Sequence, residues 1–84
     1  MNLSPDPSPQ ASQQSDRTKQ LLASSEANLK KISARPPSES QQDTVKQIRS
    51  YMEQAKTAVD EGDVQRAYNL AVKANLLSAE LAGH

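Results

Sequence analysis

The chain has 84 residues, ten basic and ten acidic side chains that cancel, and no cysteine, so neither a strong charge footprint nor a disulfide framework is available to it. Neutrality argues against a nucleic-acid partner. With two tyrosines and no Trp or Phe, it also has no platform on which bases could stack. No apolar run approaches the roughly 20 residues that cross a bilayer, and the N-terminus has no short apolar signal core, so the chain as written is expected to stay in solution. A domain this small buries a modest core, and without disulfides self-association is an attractive way to stabilise it.

Residues 1–14, MNLSPDPSPQASQQ, carry Pro5, Pro7 and Pro9 among serine and glutamine, and read as a disordered tail or linker ahead of a helical domain over residues 15–84. No PxxP spacing with a basic flank is present, so a tether is preferred over a proline-rich ligand.

A first helix is expected over about residues 16–34. Leu21, Leu22, Leu29 and Ile32 fall on one side at helical spacing, with Thr18 and Ser25 completing the stripe. Ser15 or Asp16 would cap it, and Glu26 stands four residues before Lys30 in the favourable order for an ion pair. Pro36 and Pro37 end it, because the residue before a proline is pushed out of the α region. This short connection is expected to keep the first helix beside the second.

Ser38-Glu39-Ser40-Gln41 fits a capping box and opens a second helix over about residues 39–61. Val45, Ile48, Met52, Ala55 and Val59 alternate three and four apart, a heptad-like seam for a neighbouring helix. Gly62 can take the left-handed conformation that closes this helix, and Asp63 can cap the next. A third helix over about residues 64–82 repeats the seam with Ala67, Leu70, Ala74, Leu77 and Leu81, and stops at Gly83. So short a turn makes the last two helices antiparallel neighbours. The fold expected is therefore all-α, a three-helix antiparallel up-down-up bundle.

Within this hairpin, residues 55–75 (AKTAVDEGDVQRAYNLAVKAN) resemble the end of one helix, the turn and much of the next in a tetratricopeptide repeat. The matching residues are Ala55, Gly62, Asp63, Ala67, Leu70 and Ala74. The match covers a single hairpin with no second copy to extend it into an array. The whole chain is similar to helical domains of small bacterial envelope proteins of unknown function, often lipoproteins, in which a Ser/Pro/Gln-rich linker precedes an Ala-rich hairpin. That likeness would imply an exported domain lacking its signal, and the chain departs from it in having no cysteine to lipidate. A native start at Met1 and a start after a removed signal both fit.

Catalytic chemistry finds no constellation. His84 is the single histidine and is terminal, so neither a Ser-His pair nor a multi-histidine metal site can be assembled around it. Asp60, Glu61 and Asp63 gather oxygen donors round Gly62, but a calcium loop needs about a dozen residues with alternating donors, and capping already accounts for Asp63. Lys30, Lys31 and Arg35 complement the dipole where the first helix ends. Their functional alternative is an anionic partner, or head-to-tail contact with the acidic turn of another copy. No enzyme activity, metal, cofactor or small-molecule substrate is expected.

The third helix has a second apolar face. Tyr68, Val72, Leu76 and Ala79 lie roughly opposite the seam at about 100° per residue, and one helical neighbour cannot cover both faces. Either the first helix tilts far enough to cover them, or Leu76 is a singly exposed apolar residue of the kind normal on surfaces, or they form a partner site. The expected function is a non-enzymatic protein–protein interaction or structural module that associates with itself, as a homo-oligomer, through Tyr68, Val72, Leu76 and Ala79. The alternative is a peripheral membrane or envelope-associated protein using the same face, against which the neutral charge and scarcity of aromatics weigh.

Overall fold

The computed structural model describes residues 9–83, folded as three helices: α1 (Pro9–Ser33), α2 (Glu39–Asp60) and α3 (Val64–Ala82), with no strand among the described residues. The all-α up-down-up bundle is what the sequence implied. Of the tail expected over residues 1–14, residues 1–8 lie outside the described residues.

α1 starts earlier than periodicity placed it. Pro9 is its first residue, a position that tolerates proline because the missing N–H would have had no helical acceptor. Residues 9–14 therefore belong to the helix and not to the tail. They show no apolar repeat to betray them, but Gln and Ala are good helix formers. Ser15 and Asp16 stand inside the helix and cap nothing. At the other end the amide of Ala34 is shared between the carbonyls of Lys30 and Lys31, and that of Arg35 donates to Ile32 at 3.2 Å before Pro36 turns the chain.

α2 opens with both halves of the capping box: the Gln41 amide donates to Ser38 Oγ at 3.3 Å, and the Ser38 amide to Gln41 Oε1 at 2.9 Å. It closes at Gly62, whose φ of +78° is the left-handed conformation anticipated there. The Asp63 amide donates to the Ala58 carbonyl at 2.8 Å and the Gly62 amide to Val59 at 3.0 Å, the nested pair of a Schellman motif. Asp63 then accepts from the Arg66 amide at 3.2 Å as N-cap of α3. A single residue both finishes one helix's closure and starts the next, which is why the hairpin needs so few connecting residues.

α3 is the central element. It packs extensively against both α1 and α2, whereas α1 and α2 touch each other sparsely, contrary to the expectation that the proline turn holds α1 beside α2. Side-chain size explains the asymmetry. α3 offers Ala67, Ala71, Ala74 and Ser78, all buried, so both neighbours come close to its backbone. Between α1 and α2 lie the larger Leu29, Ile48 and Met52, with Leu22, Ile32 and Val45 packed around them, and these hold the two axes apart. A second cluster of Ala55, Leu70 and Ala71 continues the core towards the hairpin.

The predicted seams are recognisable but shifted. On α2, Ile48, Met52 and Ala55 are buried, and then Ala58 takes the inward place expected of Val59, which is 43% exposed. On α3 the buried stripe widens to include Ala71 and Ser78, because α1 occupies that side.

α1 runs parallel to α3, and their shared seam is polar. Thr18 and Ser25, the polar members of the α1 stripe, are fully buried, and their hydroxyls donate to the carbonyls of Gln14 and Leu21 one turn back, both at 2.8 Å. Asn28 Nδ2 donates to Ser78 Oγ at 3.1 Å, and Ser78 in turn donates to the Asn75 carbonyl at 3.0 Å. Near the hairpin Gln14 donates to Gln65 at 3.1 Å. These cross-helix bonds fix which residues of α1 and α3 lie opposite one another, something an aliphatic stripe would do less sharply. Glu26 reaches across to Lys56 of α2, 3.7 Å away, in place of the expected intrahelical pairing with Lys30.

Candidate interaction surface

The outer face of α3 is set by where its two neighbours sit. α2 covers the side bearing Ala67, Leu70, Ala74, Leu77 and Leu81, and α1 covers the side bearing Ala71, Asn75 and Ser78. At about 100° per residue, the direction opposite both neighbours falls within a few tens of degrees of Leu76. Leu76 is 63% exposed, and with Val59 it is one of two large aliphatic side chains exposed among the described residues.

The four residues assigned to this face do not share one environment. Leu76 and Ala79 are exposed, whereas Tyr68 and Val72 are half-buried on the flank nearest α1. α1 covers part of Tyr68 and Val72, and Leu76 is left to solvent.

Around Leu76 the surface is polar and ordered along the helix. Gln65 donates to Asn69 Oδ1 at 3.3 Å, one turn apart. Lys73 and Glu80 are exposed on the flank nearest α2, and the Lys73 ammonium lies 5.8 Å from the centre of the Tyr51 ring. That is within cation–π range, worth about 0.5–1 kcal/mol at an exposed site. The patch is thus an apolar centre between a half-buried apolar flank and a flank carrying one charge of each sign.

The remaining sequence candidates are placed as follows. Asp60, Glu61 and Asp63 are exposed round the hairpin turn, with Asp63 engaged as a cap. Among the described residues no group of three or more His, Cys, Asp or Glu is gathered as a metal would require. Lys30, Lys31 and Arg35 lie at the α1 end far from that turn. Lys30 joins Glu26, Arg49 and Lys56 on the walls of an open groove of about 620 Å³ between α1 and α2, floored by Leu29 and Met52. Sequence reading missed this groove, because it arises from the sparse α1–α2 contact. It missed the Asn28–Ser78 seam as well, although Thr18 and Ser25 in the α1 stripe were a signal that this interface would be polar.

No described helix is long and apolar enough to cross a membrane. Compared with protein-family models, with curated proteins and with solved structures, the chain matches none.

Proposed function

We propose that this protein is a non-enzymatic helical interaction module whose binding surface is the outer face of α3, and that it associates with itself there. The observation that carries this reading is the exposure of Leu76 on the side of α3 that neither α1 nor α2 can reach. Ala79 extends the patch, and the exposed parts of Tyr68 and Val72 border it.

The strength expected is modest. Fully burying a leucine side chain is worth about 1.5–3 kcal/mol. At 63% exposure in the single chain, the two copies of Leu76 together contribute about 2–4 kcal/mol. Association entropy alone costs at least about 4 kcal/mol, so the flanking contacts decide the outcome, and the dimer should be micromolar or weaker.

Sedimentation equilibrium across a wide concentration range tests this. The wild-type chain should shift from monomer towards dimer as concentration rises. Leu76→Gln, and more strongly Val72→Gln/Leu76→Gln, should remain monomeric with unchanged helicity by circular dichroism. A wild-type chain that stays monomeric at millimolar concentration would rule the reading out.

A further inference from the structure

Resting on that reading of the α3 face, we infer the geometry of the pair: the second copy docks antiparallel, α3 against α3, about a two-fold axis passing beside Leu76, with Lys73 of each copy meeting Glu80 of the other. The charge pattern carries the inference. Lys73 and Glu80 are both exposed and lie on the same flank of the outer face, seven positions apart. Seven residues span about 10.5 Å and nearly two full turns, so the two charges project in almost the same direction. Their midpoint falls between Leu76 and Leu77. A two-fold axis set there, perpendicular to the plane of the two helices, brings residue 73 of one copy opposite residue 80 of the other, twice, with the Leu76 side chains meeting at the centre. Within about a residue of the same centre, Ala79 comes opposite Val72 of the second copy.

A parallel pairing has no such complement. Its axis runs along the helices, so the charged flank of one copy meets the Tyr68–Val72 flank of the other, leaving Lys73 and Glu80 against apolar side chains. The remaining charge on the exposed face, Arg66, stands so near the start of α3 that the antiparallel register carries it past the end of the second α3 at Ala82. Lys73 is held over Tyr51 only at 5.8 Å from an exposed position, and its long stem lets the ammonium swing to a carboxylate.

Charge reversal supplies the test, read by sedimentation with helicity checked by circular dichroism. Lys73→Glu and Glu80→Lys should each weaken self-association about tenfold, since two attractive contacts become repulsive. An equimolar mixture of the two variants should form a heterodimer of near wild-type affinity, and the double variant K73E/E80K should dimerise as the wild type does. Because Glu80→Lys leaves the Tyr51 contact intact, equal losses from both single variants point to the interface and not to Tyr51. The chain has no cysteine of its own, so Asn69→Cys reports orientation independently. Antiparallel docking separates the two introduced thiols by about 22 Å and prevents a disulfide, whereas parallel docking juxtaposes them. Ready cross-linking of N69C, or charge reversals without effect on a dimer that Leu76→Gln abolishes, would overturn the antiparallel geometry while leaving the α3 face as the interface. A wild-type monomer at all concentrations would overturn both.

Discussion

Gly62 allows a sharp test of why the hairpin turns where it does. Its φ is +78°, and a methyl group built at its Cα would have nothing within 4 Å. Substitution therefore meets no steric obstacle from the rest of the molecule, and the whole penalty is local backbone strain. An L-residue held in the left-handed region costs about 1–2 kcal/mol. Replacing glycine also stiffens the unfolded chain, which offsets about 0.4–1 kcal/mol of that loss. Gly62→Ala should accordingly destabilise the fold by about 1 kcal/mol, lowering the thermal midpoint of so small a domain by about 4–8 °C. Gly62→Asn should lose less, because asparagine tolerates this conformation. A synthetic chain with D-alanine at position 62 should invert the sign, since the strain vanishes and only the entropic gain remains. Urea denaturation followed by circular dichroism, at a concentration where the chain is monomeric, measures all three. If L- and D-alanine gave the same stability, the left-handed turn would not be the cause, and the Schellman closure between Ala58 and Asp63 would have to be abandoned as the reason for the reversal.

Two further substitutions examine the packing. Ile48 is fully buried between α1 and α2, and Ile48→Ala should cost about 2–5 kcal/mol, enough to leave much of a marginally stable domain unfolded at 25 °C by circular dichroism. Ser78→Ala strips Asn28 of its partner across the α1–α3 seam and should cost about 1 kcal/mol, with hydrogen exchange rising in α1 before it rises in the α2–α3 hairpin. Uniform acceleration in all three helices would show instead that α1 is no less firmly held than the rest.

Local signals were legible without the structure wherever a few neighbouring residues decide the outcome. The capping box at Ser38 and Gln41, the left-handed Gly62 and the Asp63 cap each depend on contacts within about one helical turn, so residue type and spacing suffice to find them. The start of α1 was not legible. The residues between Pro9 and Gln14 have no apolar repeat, and a method that reads hydrophobic period is blind to a polar helix. Glu26 illustrates the same limit for charges: its position relative to Lys30 along the helix was plain, but its reach to Lys56 depends on how α2 lies beside it.

What the sequence determined by itself was the number of helices, five of their six ends to within a residue and the antiparallel sense of the last pair, because these follow from backbone chemistry and from a connection too short to do anything else. Tertiary structure alone decided that α3 stands between the other two. Periodicity identifies an apolar stripe but not its neighbour, and the choice turned on the small residues of α3 admitting close approach while Leu29, Ile48 and Met52 hold α1 and α2 apart. That arrangement half-buries Tyr68 and Val72 against α1 and turns Leu76 towards solvent, so the face that periodicity drew as one surface is divided by the packing of a helix distant in sequence.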